Sequence, residues 1–512
     1  MNQKADQDAD RMRRAPRHSA VSKLAAGIFS STVSLAVLAG GNGSNDGNSN
    51  VGNPPITLDQ FGVLQSSSAN RFGTGKTNGF FANLGTNGRT CGTCHVQEDA
   101  WTFTPSHARQ LAHDDPLFAP VDGSDCPPDT TAQRPNNKNS SMVLNYAVIR
   151  IELAIPASAN YALASTTNPK GCAIPPGSPA NQNNLFMFRR PLPSTNLLLL
   201  SAVMWDGRET VDKITTQIGE TNTSALLFDL GHQADDATTG HAQGASIVGS
   251  QAQTDIVAFE NSLYTAQAVY LQPGGLALLT FGAEGGSDYM QNTVTPAFYI
   301  GINDPLNPPF TTTVFTIYSS WEPGSAGYLR LGPAQKAIGR GEAIFNNTKF
   351  VVHDVPGLNS VPSDPLYNPA DPLAGQDITT GCALCHNNPN VGNHSTSLAI
   401  NIGTTAAHPV NNDGRANTAL DISNLPVYTL KNLTSGSAVQ TTDPGKAMIS
   451  GQWTDIGKTK GPILRGLAAR APYFHNGSAK DLATVVTFYN QRFQIGLTPQ
   501  QQSDLVAFLE AL

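Results

Sequence analysis

Residues 88–103 read GRTCGTCHVQEDAWTF, and residues 381–393 read GCALCHNNPNVGN. Each stretch contains Cys-x-x-Cys-His: Cys91, Cys94 and His95 in the first, Cys382, Cys385 and His386 in the second. Four of the 6 cysteines fall in these two places, so their reading decides the rest. C-x-x-C-H is the attachment signature of a c-type haem. Two thiols at that spacing form thioethers to the two vinyl groups of one porphyrin, and the adjacent imidazole reaches the iron. A thioredoxin-like CxxC belongs in a βαβ context that is not apparent here. A zinc site pairs its CxxC with a second ligand pair at a fixed interval. These copies begin 291 positions apart (382 minus 91), each with its own histidine. Two covalently bound haems are therefore expected, with His95 and His386 as iron ligands. The remaining Cys126 and Cys172 sit in Pro/Gly-rich loops, and a disulfide is their simplest use in an oxidising compartment.

Composition fits an exported chain. The 512 residues carry 31 basic and 38 acidic side chains, net −7, with only 13% charged residues and abundant Gly and Pro. No basic run offers a nucleic-acid surface. Arg11, Arg13, Arg14 and Arg17 precede an uncharged stretch, Leu24 to Gly40, that ends in Val37-Leu38-Ala39. This is the pattern of a signal peptide over 1–39. The Gly/Asn/Ser-rich residues 40–55 read as a flexible linker. No later stretch is apolar enough for a membrane span, so a periplasmic, secreted or surface location is expected rather than an integral membrane protein.

Helical apolar spacing covers GPAQKAIGRGEAIFN (332–346), and LTPQQQSDLVAFLEAL (497–512) opens with a Thr-Pro helix start. Helix, CxxCH, long loop and terminal helix is the plan of a small cytochrome c domain, assigned here to 331–512. ITLDQFGVLQ followed by the Cys91 site repeats it loosely, giving a first domain over 56–330 with a long insertion. AQAVYLQ (266–272) and TTVFTIY (312–318) alternate as strands. The expected fold is mainly α: two cytochrome c-like haem domains facing each other, with a loop-rich insertion containing short strands.

SSMVLNYAV (140–148), VMWDGRET (203–210), GPILRG (461–466), APYFHNGS (471–478) and TVVTFYN (484–490) fall in order around the two CxxCH sites. This ordered set resembles the dihaem cytochrome c peroxidase/MauG family. RRPLP (189–193) and DLGHQADDATTGHAQG (229–244) are similar to longer, atypical members; dihaem rubber oxygenases are another branch. The resemblance implies that the N-terminal haem meets hydrogen peroxide and that the C-terminal haem stores an electron equivalent. It implies Trp205 as the relay between them. The second iron's outer ligand lies fourteen residues after His475, which is Tyr489, the MauG-like choice; Met448 is the alternative. Phenolate is a hard anionic ligand that favours ferric iron, whereas a thioether favours ferrous. A structural calcium is implied at Asn139 and the carbonyls of Arg470 and Pro472.

In that family a distal Gln is followed by a Pro and a catalytic Glu. Here Gln233 matches the Gln, Ala237 falls at the Pro and Gln243 at the Glu. A glutamine amide cannot shuttle a proton, so His241 is the candidate to do so, with Glu220 as the fallback acid. His107 and His113 lie where some members carry a blocking ligand, but an open first iron is expected. The function implied is a peroxide-using oxidoreductase. Its reductant would be a small donor protein, a cytochrome c or cupredoxin, or its substrate a protein side chain. Two alternatives stand beside it: a dioxygen-dependent oxygenase of the rubber-oxygenase type, and a non-enzymatic dihaem electron carrier.

Overall fold

The computed structural model describes residues 56–68, 78–128, 134–173, 183–210, 223–270 and 276–512. The expected signal peptide, the linker and Glu220 lie outside the described residues. Among the described residues, five helices run eleven residues or more: α1 (Thr223–Gly240), α2 (Ser250–Ser262), α3 (Pro333–Asn347), α4 (Leu482–Arg492) and α5 (Pro499–Glu510). Their starts are written in the sequence. Pro333 and Pro499 occupy first turns, where the missing N–H costs nothing. Thr498 and Gln501 form a reciprocal capping box, and Asp481 accepts from Thr484 N at 2.7 Å. Ile338, Glu342 and Phe345 form the buried stripe of α3. At Gly341 a Cβ would lie 2.1 Å from the Asp504 carbonyl of α5, so glycine lets the two helices meet.

Small antiparallel sheets fill the rest. Strands β1 (Ile56–Asp59) and β2 (Gly62–Ser68) form a hairpin that continues through β6 (Leu263–Tyr270) to β7 (Leu276–Ala277). ITLDQFGVLQ is therefore a hairpin and not the helix of a cytochrome c plan. The Asp59 carboxylate accepts from Phe61 N at 2.7 Å and fixes the turn. The described part of AQAVYLQ, Ala266 to Tyr270, falls on β6, as its alternation predicts. Strand β3 (Ile149–Ala154) pairs with β5 (Asn184–Arg189), and β8 (Phe350–Val352) with β9 (Ile378–Thr380). Strand β4 (Tyr161–Thr167) joins the hairpin of β10 (Val427–Asn432) and β11 (Ala438–Thr441), pairing a segment of the first half with the second.

TTVFTIY is not a strand. Val314, Phe315, Ile317 and Tyr318 are buried, but their backbone is satisfied by side chains instead of a ladder. Asn346 Oδ1 accepts from Val314 N and Phe315 N at 3.0 and 3.1 Å, and Glu342 Oε2 accepts from Tyr318 N at 2.9 Å. These residues pack with α3, α4 and α5 in one core. Cys126 and Cys172 form the expected disulfide.

Candidate active site

Both CxxCH motifs fold alike. Cys91–Thr93 and Cys382–Leu384 are single 3-10 turns, closed by His95 N to Cys91 O at 3.0 Å and His386 N to Cys382 O at 2.9 Å. In each, the imidazole Nδ1 meets the carbonyl six residues further on. His95 Nδ1 lies 3.0 Å from Trp101 O, and His386 Nδ1 2.5 Å from Gly392 O. A carbonyl there fixes the tautomer with the proton on Nδ1 and leaves Nε2 as the ligating nitrogen. The four thiols are unbridged. Burial pushes Cys91, Cys382 and Cys385 up to about 12 and Cys94 to about 11, so none is a ready thiolate.

Each motif opens on a largely apolar cavity, of about 170 Å³ at the first and about 200 Å³ at the second. The two cavities have Arg190, Trp205, Lys460 and Arg470 in common. Among the described residues Arg190, Lys460 and Arg470 form no ion pair with a carboxylate. Burial draws Arg190 down to about 9, aided by neighbouring Arg470; it draws Arg470 to about 10 and Lys460 to about 7. Their N–H groups donate to backbone carbonyls, Arg190 to Phe103 O and Arg470 O, Lys460 to Ala202 O and Arg470 to Ile463 O, and Arg190 also feels the Asp99 carboxylate; an anion in either cavity would be a further partner. A porphyrin bears two carboxylates, so thiols, an adjacent imidazole, apolar walls and basic side chains together fit a haem in each cavity.

RRPLP organises the wall between them. Arg189 pairs with Asp443 through two bonds, at 2.7 and 2.8 Å, and with Asp206. Burial opposes both carboxylate charges, but Arg189 outweighs it and holds both groups below their usual range. Arg190 O accepts from Trp205 Nε1 at 2.8 Å, while Arg190 N donates to His475 O at 2.6 Å. The Trp205 and His475 rings stand edge to face, 6.2 Å apart. Tyr489 lines the second cavity with its ring 6.3 Å from that of His386. Met448 packs elsewhere, in the core formed with Tyr161 and Trp453, with its sulfur 3.8 Å from Tyr161 Oη.

The sequence-predicted distal residues separate. Gln233, Ala237 and His241 line the first cavity. Gln243 does not: α1 ends at Gly240, Gln243 takes a left-handed φ of 55°, and its amide oxygen accepts from Asn87 Nδ2 at 3.3 Å. His107 and His113 are not among the lining residues either, and the His113 side chain is 74% exposed. Arg470 O accepts from Arg190 Nη2 at 3.0 Å, so the carbonyl assigned to calcium already faces a cation. Asn139 ends a surface turn and its own carbonyl accepts from Asp125 N at 2.6 Å. Pro472 lines the second cavity.

Two acids were missed. Asp122 bonds Nδ1 of His241 and pairs with Arg89. Burial opposes its charge, but Arg89 and His241 hold the carboxyl below its usual range. Glu260, on α2, is buried in the lining of the first cavity; burial raises it to about 7, against a hydrogen bond from Ser194. Its Oε2 has no hydrogen-bond partner among the described residues. No motif surrounds Glu260; only the buried face of an amphipathic helix marks it in the sequence.

No protein-family model matches the chain. Cytochrome-c peroxidase IdrP2 of Denitromonas iodatirespirans is 35% identical over 148 residues, 27% of this chain and 38% of that protein. IdrP1 of the same organism, also a cytochrome-c peroxidase, is 34% identical over 144 residues, 26% of this chain and 36% of its own length. Cytochrome-c peroxidase IdrP2 of Pseudomonas sp. (strain SCT) is 34% identical over 150 residues, again 26% and 36%. The match thus spans little more than a third of the length of these curated relatives. Over about a quarter of its length the chain is thus similar to proteins named cytochrome-c peroxidases, and this similarity does not point to MauG.

Proposed function

We propose that the chain is an exported dihaem peroxidase, with the Cys91 cavity as the hydrogen peroxide site and the Cys382 cavity as the electron-storing site. One observation carries this reading: Trp205 lines both cavities. When bound, the haems supply redox-active iron, one to react with peroxide and one to hold an electron equivalent. The protein's part is to place an oxidisable indole against both and to move protons. His241, tied through Nδ1 to Asp122, keeps Nε2 free to take up or release a proton. Glu260 changes charge near pH 7 and holds its proton on a carboxyl oxygen within the cavity lining. Gln233 supplies hydrogen bonds only. Where Gln243 stands in place of a catalytic Glu, Glu260 provides an acid to the first cavity.

Tyr489 as the outer ligand of the second iron belongs to the same proposal, supported by its place in that cavity and by the packing of Met448 in a different core, outside that cavity's lining. The disulfide supports export to the periplasm or beyond. A small donor protein, cytochrome c or cupredoxin, or an oxidised protein side chain completes the electron balance.

The test compares wild type with Trp205→Phe, both carrying both haems. Wild type, half-reduced and given peroxide and a reduced donor, turns over; the variant does so at least about ten-fold more slowly. Equal rates remove Trp205 from the path. A wild type inert to peroxide and dioxygen is an electron carrier, and one that consumes dioxygen with an apolar substrate is an oxygenase.

A further inference from the structure

DLGHQADDATTGHAQG sends Gln233, Ala237 and His241 into the first cavity and leaves His232 and Asp236 without a role there. His232 and Asp236 stand four residues apart on α1, one turn along the same face. Glu209, from the end of the WDGRE loop, meets them. Its side chain is 3% exposed and its Oε2 lies 2.7 Å from His232 Nδ1. One ligand atom from each of Glu209, His232 and Asp236 lies within 4.8 Å of the other two. Each residue is also the chain neighbour of a cavity-lining residue: Arg208, Gln233 and Ala237. The three therefore lie beside the cavity wall. The His232 side chain is 44% exposed, so an ion reaches the cluster from solvent.

We propose that Glu209, His232 and Asp236 bind a divalent first-row transition-metal ion that clamps the WDGRE loop to α1 beside the first cavity. One imidazole nitrogen with two carboxylate oxygens is a mixed donor set that suits Zn²⁺ or Mn²⁺, and three protein ligands leave positions for water. An imidazole is a poor partner for Ca²⁺, which takes oxygen ligands. The ion sits at the base of the loop that carries Trp205 and fixes that loop's position. The site is independent of the peroxidase reading, since it uses none of the residues assigned to proton or electron transfer.

The test uses the full haem-loaded chain, freed of loose metal by chelator and dialysis, and titrated with ZnCl₂ or MnCl₂ by calorimetry and thermal melting. The expected result is one equivalent bound and a higher melting temperature with at least one of the two ions. Binding weakens at least ten-fold in His232→Ala and in Asp236→Asn, while the haem spectra of both variants match wild type. Silence with both ions overturns the proposal and leaves Glu209–His232 a simple ion pair. Binding that is undiminished in both variants places the ion elsewhere and equally overturns it. CaCl₂ stabilising the chain through these same residues as strongly as Zn²⁺ or Mn²⁺ contradicts the assigned metal class.

Discussion

Glu260 titrates near neutrality because burial opposes its charge and Ser194 only partly offsets that. As the proton acceptor in the first cavity it is active when ionised, so peroxide turnover rises with pH through about 7. Glu260→Gln lowers the rate about 10²-fold and flattens that limb of the profile. Stability carries the opposite sign. Folded Glu260 keeps its proton above its ordinary 4.5, so its burial costs stability progressively from about pH 4.5 to 7. Glu260→Gln therefore raises the melting temperature relative to wild type at pH 8 more than at pH 5. In the proposed role of Tyr489 as outer ligand of the second iron, Tyr489→Met exchanges a phenolate for a thioether and raises that haem's reduction potential in a potentiometric titration. An unchanged potential rejects Tyr489 as the ligand. The sequence pointed to the cavity positions of the CxxCH residues because their spacing is local, and to that of Trp205 because its neighbours form a motif. It did not point to Glu260 or Asp122, since each reaches the cavity or His241 only through long-range packing.

Among the elements, α3 and α5 were readable from their apolar spacing and start signals, down to Pro333 and the Thr498 cap. Their contact depends on Gly341, where no side chain fits beside Asp504 O. Gly341→Ala costs about 1–3 kcal/mol by overpacking, measured as a lower midpoint in denaturant, with the haem spectra as the check on folding. A midpoint equal to wild type means that the helices separate without cost. Periodicity misled where the backbone found other partners. TTVFTIY has the buried alternation of a strand, but Asn346 and Glu342 take the N–H groups that a ladder would use. ITLDQFGVLQ has enough apolar residues for a helix, yet β6, some 200 positions later, claims its second half as sheet: Leu64 pairs with Gln267 and Gln65 with Ala266, and just beyond them the Ser66 and Thr265 hydroxyls lie 2.9 Å apart.

At the scale of the molecule, the two halves are fastened through Arg189. It joins Asp206, beside the shared tryptophan, to Asp443, whose Oδ2 stands 3.6 Å from His475 Nε2. The β4–β10 pairing makes a second link. Neither is visible in the sequence, because each unites residues more than 250 positions apart. What this scaffold holds is the central claim: two haems, one in each cavity, on either side of Trp205. Intact mass spectrometry of the natively matured chain, with peptide mapping, tests that claim most directly. The account predicts two covalently added haems per chain, one on Cys91 and Cys94 and one on Cys382 and Cys385. A mature chain with one haem or none, or with either cysteine pair unmodified, contradicts it.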